Sequence, residues 1–169
     1  ILADARFPDI QKRLNQRIKY REGFRPFAPA VLAEECPNYF DLDGDSPYMQ
    51  LVAHVKSERC APVPHDYFLL PPMERLYFKR SDIPAVTHVD FSARVQTVHK
   101  NTNERFWKLL DTYKMKTGCG VLINTSFNVV VSRSSVPRKM RTNALCTRKW
   151  ITLSWEMCSS RRRINRRIM

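Results

Sequence analysis

Charge is divided unevenly along this chain, and the division limits which part of it can build a core. The stretch from Val130 to Met169 carries +10 of the net +13, with eleven lysines and arginines against Glu156 alone. Residues 1–129 hold the remaining +3 of this 169-residue chain. A nearly balanced segment of that length can bury a core of its own, whereas a strong excess of one sign opposes compaction. The chain is therefore expected to divide into a globular body at 1–129 and a basic tail at 130–169. A hydrophobic share of 43% suits a folded body. No run approaches the roughly 20 apolar residues of a membrane span. The opening Ile1-Leu2-Ala3-Asp4 is neither a signal peptide nor an initiator sequence, so the chain reads as entered part-way. Cys36, Cys60, Cys119, Cys146 and Cys158 form no C-x-x-C pair and no metal-ligand spacing. That pattern suits reduced thiols in the cytoplasm and gives no metal site.

Periodicity places the elements. Pro8 to Arg17 predicts a helix, with Ile10, Leu14, Arg17 and Ile18 on one face. Lys19 to Pro29, with Gly23, Pro26 and Pro29, predicts a loop. Ala30 to Tyr39 reads as a strand end and a short helix, and Asp41-Leu42-Asp43-Gly44-Asp45 as a turn. That turn begins like a calcium loop, but Val52 stands where the twelfth-position glutamate is needed. Met49 to Val55 predicts a strand, Cys60 to Pro72 a proline-rich loop, and Ala85–Val89 and Ala93–Val98 two further strands. Thr102 to Thr117 predicts the clearest helix, with Asn101 as its cap, Phe106, Leu109, Leu110 and Tyr113 on its face, and Gly118 at its end. Val121-Leu122-Ile123 then reads as a short buried strand. Helices and strands mix without strict alternation, which argues for an α/β or α+β fold, a mixed sheet with flanking helices.

Four clusters carry chemistry. Lys19, Arg21 and Arg25 fall within seven residues of a proline-stiffened loop. On an extended stretch Lys19 and Arg21 would point the same way and could grip one phosphate, although a solvated basic loop has the same composition. Thr87-His88-Val89-Asp90-Phe91-Ser92-Ala93-Arg94 gathers imidazole, carboxylate, hydroxyl and guanidinium at a turn. There Asp90 can serve as a turn cap, and Arg94 can enter a cleft from the start of a strand. Asn124-Thr125-Ser126-Phe127-Asn128 follows the buried strand, where sheets bind ligands through small polar groups. Arg75 to Arg80 reads as a solvated strand end.

Those clusters, with Ile1-Leu2-Ala3-Asp4, Lys19-Tyr20-Arg21-Glu22-Gly23-Phe24-Arg25-Pro26-Phe27-Ala28-Pro29 and Thr87-His88-Val89-Asp90 among them, resemble the C-terminal domain of nodulation-type O-carbamoyltransferases in content and order. Relatives in that family carbamoylate nodulation factors, cephamycins and aminoglycosides. The resemblance runs from residue 1 to about Val129. It implies a fold similar to threonylcarbamoyl-adenylate synthases, a twisted mixed sheet around a basic cleft with the signature K-x-R and, much later, S-x-N. Lys19-x-Arg21 and Ser126-x-Asn128 match that signature. By the resemblance, Lys19, Arg21, Arg25, His88, Ser126 and Asn128 bind the phosphates of ATP and carbamoyl phosphate. Lys19, Arg21 and Arg94 would act in catalysis, with Mg2+ accompanying the nucleotide. The product would be carbamoyl adenylate, passed to a hydroxyl in an N-terminal domain that holds iron and is missing from this chain. The fragment alone is expected to be inactive, with no membrane or nucleic-acid partner. Ala5 departs from the family's usual proline. Two other readings stay open: a basic nucleic-acid-binding module that loses its affinity without residues 130–169, and a non-catalytic partner of a separate N-terminal domain.

The tail departs most. Family members continue after Asn-Val with Arg-Gly-Glu-Pro-Ile, and this chain does not. A single nucleotide lost near Val129 accounts for the change. Read from each codon's third base, the stretch from Val129 to Ser160 yields a continuation of the family's kind. Synonymous codons help that match, but three letters are forced: Trp150-Ile151 gives aspartate, Trp155-Glu156 glycine and Met157-Cys158 valine. All three fit, so residues 130–169 are expected to be a disordered by-product of a shifted frame.

Overall fold

A computed structural model describes residues 1–126. The expectations for Asn128 and for 130–169 lie outside the described residues. Six strands form one mixed sheet: β1 (Leu2–Asp4), β2 (Ala28–Leu32), β3 (Phe40–Asp41), β4 (Leu51–Val55), β5 (Ser92–Val98) and β6 (Val121–Asn124), in the spatial order β1-β6-β2-β5-β4-β3. Among the described residues only β2 and β5 run parallel; the other neighbours are antiparallel. A parallel pair needs a long crossover, and here it runs from residue 33 to residue 91. Every residue of β2 is buried, as befits the strand at the centre of the sheet.

Helix α3 (Glu104–Thr117) covers one end of one sheet face. It starts two residues later than the sequence predicts. His99 O accepts the Asn103 N–H at 3.0 Å, so 99–103 is a turn that makes Asn103 the cap, and its side chain accepts from Phe106 N at 3.2 Å. Gly118, at φ 73, ends the helix. Leu110 is fully buried against Ala30, Leu32, Val98 and Leu122, with Phe106, Trp107 and Tyr113 packed around them. Burying a leucine of this kind contributes about 2 kcal/mol. Leu109, expected on that face, is 45% exposed. Polar ties fix the helix to the 3-10 turn that follows β2 (Ala33–Asn38): Trp107 Nε1 donates to Glu34 at 2.8 Å, and Lys114 meets Glu35 at 2.6 Å. Arg6, paired with Asp4 at 2.7 Å, donates to Thr117 O at the helix end.

Pro8 opens α1 (Pro8–Leu14), which buries Ile10 and Leu14 and runs on through a π-helical turn, Asn15–Lys19; Arg17 is exposed rather than on the buried face. Two sequence expectations fail in the crossover. Ala85–Val89 is an irregular segment, buried from Ala85 to Thr87 and exposed at His88 and Val89, not a strand. Pro84 precedes it, and its links are single: Ala85 N to Ala5 O, and Phe27 N to Ala85 O, both at 3.2 Å. The hydroxyls of Ser81 and Thr87 (2.7 Å apart) take the Ile83 N–H and donate to the Ile83 carbonyl, groups a ladder would have used. Arg75–Arg80 is not a strand end either, since α2 (Pro72–Tyr77) occupies its first half and Arg80 is buried. Among the described residues no helix is long and apolar enough to cross a membrane.

Candidate functional site

The signature loop is shaped by an asparagine inside the helix. A π turn holds one residue more than an α turn and aims its side chains off the helical rows. Here it places Asn15 in full burial and ends at Tyr20, whose φ of 49 is left-handed. The Asn15 side chain donates to Gly23 O at 3.2 Å and Arg25 O at 2.7 Å, and accepts from Arg21 Nε at 2.6 Å. Its carbonyl takes the Arg21 N–H at 3.0 Å. One amide thereby fixes residues 21–25. Lys19 and Arg21 consequently do not lie along an extended stretch, because the left-handed Tyr20 stands between them.

Lys19 is only 8% exposed. Its Nζ donates to the Ser126 carbonyl and stands 3.3 Å from Ser126 Oγ, across 107 positions of sequence. Burial, helped by nearby Arg21, lowers its pKa from the usual lysine value. Two residues before Ser126, Asn124 Nδ2 donates to Gln96 Oε1 at 2.8 Å. These amides stand on β6 and β5 and meet over β2, where Ala28 and Ala30 are small enough to let them pass. Continuing the β2–β5 register puts Arg94 beside Ala28 in the row of Asn124, and its own partner on β4 is Val52. Arg94 is exposed. This end of the face, beyond the contacts of α3, is polar.

Other expected residues gather elsewhere. Arg21, Arg25 and His88 line an open cavity of about 450 Å³, together with Arg80 and Thr87. Arg21 lies over the Phe27 ring at 5.0 Å, and burial beside Arg25 lowers its pKa. Arg25 pairs with Glu22 at 2.8 Å. Asp90 works as a turn cap: Ser92 N and Oγ donate to its Oδ1 at 3.1 and 2.7 Å. Partial burial opposes its charge, but those bonds prevail and hold its pKa below the usual carboxylate range. Arg94 does not line this cavity. The structure thus brings Lys19 to Ser126, and Arg21 to Arg25 and His88. Sequence reasoning missed Asn15 and Gln96, and it named Arg80 only within a cluster read as a solvated strand end. An asparagine inside a helix pattern, against its propensity, is the one signal that marked Asn15.

Comparison with known proteins bears on this arrangement. The family model described as "Carbamoyltransferase C-terminus" matches residues 1–149. The uncharacterised protein sll1178 of Synechocystis is 52% identical over 129 residues, 76% of this chain and 21% of that protein. Nodulation protein NolO of Bradyrhizobium diazoefficiens is 36% identical over 131 residues, 76% of this chain and 20% of its own length. The 3'-hydroxymethylcephem-O-carbamoyltransferase of Amycolatopsis lactamdurans is 38% identical over 120 residues, 69% of this chain and 18% of the enzyme. The chain spans about a fifth of the length of these relatives.

Proposed function

Given that this chain belongs to the carbamoyltransferase C-terminal family, we propose that it is the part of an O-carbamoyltransferase that binds ATP and carbamoyl phosphate and forms carbamoyl adenylate. The observation that carries this reading is the contact of Lys19 with Ser126, which joins the two halves of the K-x-R and S-x-N signature. The chemistry asks for what these residues supply. Water opens carbamoyl phosphate to carbamate and phosphate; a carbamate oxygen attacks the α-phosphorus of ATP, and pyrophosphate leaves. Negative charge accumulates throughout, so positioned cations and hydrogen-bond donors matter more than a nucleophile. Lys19, Arg21, Arg25 and Arg94 are the cations; His88, Ser126 and Asn128 complete the set. Among the described residues no group of three His, Cys, Asp or Glu side chains can hold a metal ion. Mg2+ would arrive on the nucleotide phosphates, as it usually does at such sites. Transfer to a sugar or metabolite hydroxyl, and the iron of the family, belong to a further region in the cytoplasmic enzyme, without which this stretch completes no carbamoyl transfer.

Calorimetric titration of the chain with ATP and with carbamoyl phosphate tests the reading. Saturable binding is expected, weakened about tenfold or more in Lys19→Met, since a hydrogen bond to a charged group contributes about 1.5–3 kcal/mol. Binding of neither compound overturns it. Pyrophosphate release that requires carbamoyl phosphate would reveal residual synthesis.

We also propose that residues 130–169 are read in a shifted frame. The three forced letters support it, as do relatives' alignments that span about three quarters of the chain. Sequencing the coding DNA across Val129 decides this: a single-base gap there is expected, and an intact reading frame overturns it.

A further inference from the structure

We propose that Arg80, outside both signature stretches, is a phosphate-gripping residue that makes the Arg21–Arg25–Arg80 cavity a phosphoryl-binding subsite. The inference rests on the family reading and deepens it.

Arg80 is 6% exposed, and among the described residues no carboxylate lies within 4 Å of it. Its hydrogen-bond acceptors are neutral: Tyr67 Oη at 3.3 Å from Nε, and the Arg75 and Leu76 carbonyls from Nη2, the latter at 3.0 Å. Those two carbonyls stand near the end of α2, where helix carbonyls have few partners; the Arg75 carbonyl also takes the Phe78 N–H at 3.4 Å. They aim the guanidinium without neutralising it. A buried charge without a counter-charge is costly unless something completes it. Nothing among the described residues takes Arg80 Nη1, or Nη1 and Nη2 of Arg21. Both residues line the 450 Å³ cavity, with Arg25, Thr87 and His88 around them. Three guanidiniums on one cavity repel each other, and Glu22, paired with Arg25, offsets only one. A phosphoryl group answers that geometry, because arginine offers parallel N–H donors to its oxygens. Two sources share the chemistry, the polyphosphate end of ATP and the phosphate of carbamoyl phosphate.

Titrations of the full chain with inorganic pyrophosphate, ATP and carbamoyl phosphate, each against Arg80→Gln and Tyr67→Phe, separate the cases. Arg80→Gln should weaken the true ligand about tenfold or more. A loss shared by pyrophosphate and ATP assigns the cavity to the nucleotide; a loss confined to carbamoyl phosphate assigns it to the donor. Tyr67→Phe removes one support and keeps the charge, so its binding should stay close to that of the unaltered chain. An equal loss in Tyr67→Phe makes Arg80 a structural residue and overturns the proposal. Should Arg80→Gln fail to melt cooperatively, phenylglyoxal labelling of the unaltered chain decides. Bound ligand should slow modification of Arg80, and an unchanged rate overturns the proposal. Binding undiminished by Arg80→Gln defeats this inference and leaves the family reading standing. No binding to the unaltered chain defeats both.

Discussion

On one face of the sheet, the part that lies under α3 and the part beyond it are built from opposite materials on the same three strands. Under the helix, Leu32, Ala30, Val98 and Leu122 meet Leu110 in a dry cluster. One step along, β6 ends in Asn124, β5 presents Gln96 and then Arg94, and only alanines separate them on β2. A strand needs just two residues to pass from core to site, because its side chains repeat on a face with period two. The dry end makes the polar end possible: it supplies rigidity, so the amides and cations beyond it can be placed without contributing a core of their own.

The comparison breaks or sharpens under substitution. Leu110→Ala should show the largest effect, a loss of about 2–5 kcal/mol in urea unfolding; a loss below about 1 kcal/mol would mean that α3 does not anchor the sheet. Next comes Asp4→Asn, which removes the charge that steadies Arg6 at the end of α3. It should cost about 1–2 kcal/mol at neutral pH. Burial opposes the Asp4 charge, but its bonds to Arg6 prevail and depress its pKa. Its contribution is therefore complete above the unfolded value near 4 and fades as pH falls through the lower folded value. Melting curves of the two forms should converge on acidification, and a gap independent of pH would exclude the pair as cause. Asn124→Ala, which leaves Gln96 Oε1 without its donor, should cost about 1 kcal/mol by the same unfolding assay. Smallest in stability is Arg94→Ala, within about 0.5 kcal/mol of the unaltered chain, while ATP affinity drops about tenfold or more. If Arg94→Ala instead destabilised the fold as much as Leu110→Ala, the bare end would be core and the contrast would vanish.

Much of this was legible locally. The face of α3, the proline that opens α1, the buried strand at 121–123 and the turn cap at Asp90 each follow from residues within a turn of one another. What escaped depended on tertiary partners. Arg80 looks like a surface cation until Tyr67 and the end of α2 enclose it. Ala85–Val89 has the composition of a strand, but Pro84 and the Ser81 and Thr87 hydroxyls divert its backbone. The alignment expected of Lys19 and Arg21 assumed extended backbone, and the π turn with left-handed Tyr20 removed it. Even so, the family resemblance led one to expect Lys19 near Ser126, and the structure brings the two into contact, whereas Arg94 stands apart from the Arg21 cavity.

The strand order also has a consequence in time. Among the described residues β1 pairs with β6 alone, and β2 has β6 on one side. Because a polypeptide leaves the ribosome from its amino end, β1 and one edge of β2 must wait for the strand that fits between them until residues 121–124 are made. Until Val121–Asn124 emerges, two unpaired edges stay open to wrong neighbours. For this domain, then, completion during synthesis is a single late event, and any pause before residue 121 prolongs its most aggregation-prone state.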